Sequence, residues 1–215
     1  MATETAAPEG MSAAAVMKRA REAQSLEQLE QLCFRCEGCP FCSLCTYKIF
    51  GYGNEHAPIM FIQTNPSREE DECGEILVQD AGEIFDFLLE SVGMSRQSNI
   101  YITQLVKCMP LFGRSPRKKE SAFCINTFLK KQIELIAPKV IVTLGSLPTQ
   151  TLILGRTNLE DMCGRWYKIG DTWFFPTYHP ASFLRGKMVY FRNIGLEHFR
   201  IFRAKLDELG IDPNA

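Results

Sequence analysis

A chain of 215 residues fits one compact domain, large enough to bury a substantial core. Its 46% hydrophobic and 23% charged residues are ordinary for a globular protein, and a formal net charge of -1 argues against a general polyanion sponge. No apolar run approaches membrane-spanning length and no secretory apolar stretch opens the chain, so a cytoplasmic protein with no membrane contact is expected.

In chain order, Met1 to Gly10 are small, acidic and proline-containing, which predicts disorder. Ser12 to Gln24 reads as helical, so residues 1–24 form a flexible or helical extension ahead of one α/β domain over 25–215. A second helix spans Ser25 to Leu32, opened by a Ser-x-x-Gln start at Ser25 and Gln28. Four short apolar runs follow, Pro58 to Ile62, Ile100 to Val106, Val140 to Leu144 and Trp173 to Phe175, each strand-like in length and content. Helical patterns separate or follow them at Ala81 to Ser91, Arg117 to Ile136, Leu147 to Leu154 and Phe191 to Leu209. This alternation predicts a three-layer αβα sandwich around a mostly parallel, four-stranded sheet. Sites in such sheets lie beyond the carboxyl ends of the strands. Gln63 to Ser67, Lys107 to Pro110, Gly145 and Thr177 to Pro180 should therefore ring one crevice.

Nine cysteines are many for a chain expected in the cytoplasm, where metal ligation is commoner than disulfides. Five recur every third residue, at Cys33, Cys36, Cys39, Cys42 and Cys45. One four-ligand centre that also recruits the distant Cys108 and Cys124 cannot use all five, so two or three are surplus. Such thiols suit a buried metal or iron–sulfur centre. Charge is uneven as well. Arg114, Arg117, Lys118, Lys119 and Lys130 face only Glu120 between Lys107 and Lys131, a pattern that fits phosphate contact or simply a solvated helix face. His179, in Pro176-Thr177-Tyr178-His179-Pro180-Ala181, is pinned between a strand end and a proline. That setting suits either a fixed electrostatic catalyst or a hydrogen-bonded structural histidine.

An ordered set of phrases resembles the iron–sulfur, family four uracil-DNA glycosylases. It starts with Cys36-x-x-Cys39-Pro40-Phe41, Ile49-x-Gly51-x-Gly53 and Ala57-x-Ile59-Met60-Phe61-Ile62. It continues through Tyr101-Ile102-Thr103, Val106-Lys107-Cys108, Arg114-x-Pro116, Glu120 and Cys124. It closes with Pro138-x-Val140-Ile141-Val142-Thr143-Leu144-Gly145, the His179 phrase, and Leu184-Arg185. The resemblance implies a [4Fe–4S] cluster on Cys36, Cys39, Cys108 and Cys124, clamping the N-terminal turn to the sheet. Tetrahedral zinc on the same sulfurs is the alternative, and Cys42 or Cys45 are substitutes; the family usually carries arginine where Cys45 stands. It also implies that His179 donates to the O2 of a departing pyrimidine.

The departures cluster in the base pocket. The family's Gly-Glu-Ala-Pro-Gly is Gln63-Thr64-Asn65-Pro66-Ser67 here, with the acidic tail kept as Glu70-Asp71. The water-positioning glutamate has become Thr64. Asn65 before the proline is similar to the Asn-Pro first motif of other branches, where that residue orients water. Leu77 stands where the family stacks uracil on phenylalanine, a platform worth about 1–3 kcal/mol per base. Gln104 replaces the asparagine that reads the pyrimidine edge, and its extra methylene should misplace both hydrogen bonds.

Together these imply a monofunctional DNA glycosylase, acting as a monomer on single- or double-stranded DNA, with specificity altered from uracil. The alternative is a catalytically silent iron–sulfur DNA-binding relative. His179, Asn65 and Thr64 are the expected catalytic set, with Gln63, Leu77 and Gln104 against the base. Leu184 or Phe183 would wedge into the stack, with Arg185, Lys187 and Arg114 on phosphates. A bacterial host would place the protein at the nucleoid. Tyr52 and Trp166 read as packing residues.

Overall fold

The computed structural model describes residues 10–153, 158–184 and 188–215. Met1 to Glu9 of the expected disordered segment, Leu154, and the expected phosphate contacts Arg185 and Lys187 lie outside the described residues.

Two N-terminal helices, α1 (Ala13–Glu22) and α2 (Leu26–Phe34), begin where their caps dictate. Ser25 Oγ accepts from Gln28 N at 3.2 Å, and Gln28 Oε1 reaches back to Gln24 N at 3.0 Å. A cysteine-rich turn leads to β1 (Tyr52–Gly53) and β2 (Ile59–Gln63), then α3 (Arg68–Cys73) and α4 (Gln79–Glu90). After β3 (Ile100–Gln104) come α5 (Lys118–Cys124), a π-helical turn at Ile125–Leu129 and α6 (Lys130–Ile136). The chain closes with β4 (Val140–Leu144), α7 (Ser146–Leu152), α8 (Leu159–Met162), β5 (Tyr167–Ile169), β6 (Thr172–Thr177) and α9 (Met188–Glu208).

Among the described residues the sheet has six strands in the order β1-β3-β2-β4-β6-β5. The four expected strands form its parallel centre, and short antiparallel strands at both edges raise the count from four. The edge strands escape a reading by apolar runs because they are short and largely exposed. Period-two alternation sorts the central strands into two cores. Ile59, Phe61, Ile102 and Val142 pack with α4 and α9; Met60, Ile62, Tyr101 and Ile141 pack with α1, α2 and α6. Burial on both faces makes every residue of β2, β3 and β4 buried, as a parallel sheet requires. Trp166 stacks on Phe202 and tilts against Phe175, as packing. Tyr52, on the edge strand, is instead half exposed. Among the described residues, no helix is long and apolar enough to cross a membrane.

Candidate functional site

The parallel register sets Gln63 opposite Gln104 at the carboxyl ends of β2 and β3. His179 arrives from the other side, two residues past β6, crossing the end of β4. Gly145 stands at that crossing with φ +97°, a backbone conformation that favours glycine.

Ala181 N donates to His179 Nδ1 at 3.2 Å, which puts the ring proton on Nε2. That Nε2–H donates to Gln63 Oε1 at 2.7 Å. Gln63 Nε2 in turn donates to Glu70 Oε1 at 2.8 Å and to Gln104 Oε1 at 3.0 Å. Gln104 Nε2 donates onward to the Ile49 carbonyl at 3.0 Å. Gln63, Gln104, Leu77 and Glu70 are all under 5% exposed. Burial pulls the imidazole down to about 4, so His179 is neutral at physiological pH.

Glu70 organises the pocket floor. Ser67 and Glu70 form a capping box at the start of α3. Glu70 Oε2 takes Ser67 N, while Oε1 also takes Leu77 N. Burial raises its carboxyl above the ordinary range against these bonds. Asp71 accepts from Thr46 N and Tyr47 N, fastening the cysteine turn to the same helix. Sequence reasoning recognised the acidic pair only as a family remnant. The Ser67-x-x-Glu70 spacing was the signal for its structural use.

Leu77 adopts φ +52°, which is unusual for a side chain without a polar tether. Arg96 explains it. Its guanidinium donates to the Ile76 and Leu77 carbonyls and pairs through Nε with Asp86 at 2.6 Å. Gly82 lets α4 close on this turn, since a Cβ there would sit 2.2 Å from the Leu77 carbonyl oxygen. Arg96 lay in no sequence motif and was missed. Replacing it with alanine removes charge-assisted bonds worth about 1.5–3 kcal/mol. For a domain of this size that should lower the melting temperature by roughly 3–12 °C and open the 74–79 turn to limited proteolysis. An unchanged melt and cleavage pattern would remove Arg96 from this role. A cleft of about 670 Å³ opens beyond the turn, lined by Gly51, Tyr52, Ile76, Leu77 and Arg96.

The other expected site residues divide. Thr64 and Asn65 are partly buried at the crevice mouth, with Asn65 Nδ2 on the Pro66 carbonyl at 2.8 Å. Leu184 is 39% exposed, whereas Phe183 is 1% exposed within the α4–α9 core and cannot wedge into DNA. Arg114 gives both arms of its fork to Glu120, at 2.7 and 2.9 Å. A phosphate would have to compete with that pair.

The thiols gather on the side of the sheet covered by α1, α2 and α6. Cys36, Cys108 and Cys124 are buried, and Cys39 is partly so. The π-helical turn begins right after Cys124, whose sulfur accepts from Lys107 N at 3.4 Å. Gly38 N donates to Cys36 Sγ at 3.3 Å. Cys108 shares sulfur hydrogen bonds with Cys39 and Cys45 and is pushed far up by them and by burial. The bond with Cys108 draws Cys39 down to about 6, and a second one lowers Cys45. Burial pushes Cys36 up to about 11 and Cys124 up to about 12. Buried sulfurs that receive backbone N–H groups suit thiolates held against a cationic centre, so the donor set fits the implied cluster. Among the described residues, no three ligand-type side chains sit as the ligands of a single ion. Of the other thiols of the repeat, Cys33 fills the core and Cys42 bonds to the Cys39 carbonyl, while Cys45 lies against Cys108. Lys107 is buried between the two centres, bonded to Thr103 Oγ1, the Gln104 carbonyl and Gln132 Oε1; burial pulls it down to about 8.

The family model of the uracil DNA glycosylase superfamily matches residues 50–206. A type-4 uracil-DNA glycosylase of Thermotoga maritima is 35% identical over 156 residues, covering 71% of this chain and 79% of that protein. Another, from Saccharolobus solfataricus, is 36% identical over 163 residues, covering 70% of this chain and 72% of the relative.

Proposed function

Because this chain belongs to the uracil-DNA glycosylase superfamily, we propose that it is a monofunctional DNA glycosylase whose specificity has moved away from uracil. The observation that carries the reading is the fixed Nε2–H of a neutral, buried His179 beside the carboxyl ends of β2 and β3. A nucleotide swung out of the stack presents its base there. As the C1′–N bond breaks, the bonding pair leaves with the base. Once the Gln63 amide gives up its bond to Nε2–H, that neutral donor stabilises the base anion. Water adds to C1′ and its proton passes to solvent, since asparagine orients water but accepts no proton at neutral pH. Asn65 Oδ1 holds that water and Thr64 assists. This suffices where bond breaking runs ahead of attack, through an oxocarbenium-like state.

Leu184 fills the gap left in the stack, with Arg185 and Lys187 on the flanking phosphates. Cys36, Cys39, Cys108 and Cys124 hold a [4Fe–4S] cluster that supplies a structural clamp, with zinc as the alternative occupant. The protein acts as a monomer in the cytoplasm.

The reading is tested by incubating labelled oligonucleotides that carry non-canonical bases with anaerobically purified protein. The expected product is an abasic site that becomes a strand break only after alkali. Breaks without alkali would contradict monofunctional hydrolysis.

A further inference from the structure

The two residues assigned to the base do not wait for one. His179 and Gln104 both spend their pocket-facing groups on a single side chain, the amide of Gln63. The match is chemical as well as spatial. Uracil presents a carbonyl oxygen next to an N–H along O2–C2–N3, the same acceptor–donor pair that a primary amide carries. Gln63 Oε1 accepts from His179 Nε2–H and Gln63 Nε2 donates to Gln104 Oε1, while Glu70 takes the second amide proton.

We propose that Gln63 is the specificity-determining residue of this site: its amide sits in the seat of the pyrimidine edge and excludes uracil. The inference rests on the glycosylase reading for the identity of the seat, though not on any hydrolytic rate. It follows from position. The family motif has glycine where Gln63 stands, and the register that pairs Gln63 with Gln104 sends both side chains off the same face of the sheet, where the Gln63 amide meets Gln104 and His179. Both amide hydrogens and the oxygen are satisfied in a site only 1% exposed, so the amide yields His179 Nε2–H only to a base that offers more than uracil's edge does. A uracil edge would only replace bonds already made, while the expelled amide would have to find new ones. Removing the side chain frees His179 Nε2–H and Gln104 Oε1 together, and those two groups fit one uracil edge. Among the changes in this pocket, Gln63 therefore weighs more on specificity than Leu77 and Gln104.

The test compares wild type with Gln63→Gly and Gln63→Ala on duplexes with uracil or cytosine mispaired opposite thymine beside 2-aminopurine, whose fluorescence reports base flipping; cytosine keeps O2 but has no N3–H. Affinity is read in parallel by anisotropy. Wild type should bind and flip uracil and cytosine mispairs alike. Gln63→Gly should prefer uracil roughly ten- to a hundredfold, and free uracil should compete. Gln63→Ala serves where the glycine variant melts early, and should show the same preference at smaller size. Wild type that flips uracil as well as the variants, or variants without a uracil preference, would overturn the proposal. Uracil-dependent flipping with no base release in any protein would support the plug and refute the hydrolytic reading. Release of uracil by wild type at the variants' rate would do the reverse.

Discussion

His179→Ala should lower base release by about 10²–10³, the usual cost of one preorganised donor at a developing anion. The side chain is held from both ends, by Ala181 N on Nδ1 and by the Gln63 amide on Nε2. Single-turnover rates on the preferred substrate measure the loss, and affinity for the intact duplex should barely move, because the interaction matures only as charge develops. An equal loss in affinity and rate would make His179 a binding residue only. The same variant has a signature in stability. Unfolded, this imidazole takes up its proton near 6.5; folded, burial delays uptake to about 4. Between those values the unfolded chain holds more protons, so stability rises with pH from about 4 to 6.5 and is flat above. The span is worth about 3 kcal/mol. Denaturation midpoints of His179→Ala should rise less across that window. The slope that remains belongs in part to His198, which burial also lowers.

Cys108→Ser should have the largest effect on stability. Its sulfur touches both Cys39 and Cys45, and it joins the end of β3 to the cysteine turn. Three buried thiols and a half-buried fourth with no cationic centre are a burden on the fold, so metal binding and folding are linked. We expect the variant to lose its iron and sulfide and to melt about 10 °C lower or more, taking at least about 4 kcal/mol at 2–4 °C each. Cys45→Ala is the control, because the proposed set leaves Cys45 out; it should keep full iron. Loss of iron in Cys45→Ala with retention in Cys39→Ala would exchange those two ligands. Stoichiometric zinc without iron in wild type would put zinc in the centre.

How much of this was legible beforehand differs by element. The four central strands read true because a two-faced parallel sheet leaves continuous apolar runs such as Val140 to Leu144, whose bounds match β4. β1 and β5 left no such trace, being short edge strands. The expected helix from Arg117 to Ile136 is helical from Lys118 to Ile136, but no residue type announces its π turn, which begins directly after Cys124, whose sulfur accepts from Lys107 N. At the site, each substituted residue could be found from its motif position, yet the substitutions could only be read one at a time. Gln104 was expected to misplace an amide; in the fold it is engaged by another substituted residue, Gln63, through a register that sequence alone does not supply. Arg96 was invisible because its partners are the backbone carbonyls of Ile76 and Leu77, which any sequence would carry. Phe183 misled because an aromatic beside a predicted loop reads equally well as wedge or core.

The claim that ties these parts together is that a retained donor works in a pocket closed to uracil. Single-turnover base release across uracil, thymine mispairs, hypoxanthine, xanthine and 5-substituted pyrimidines, in single and double strands, tests it most directly. The account predicts alkali-labile sites at a base other than uracil, reduced about 10²–10³ in His179→Ala. Silence across the panel from protein with an intact metal centre, or uracil as the preferred base, would contradict it.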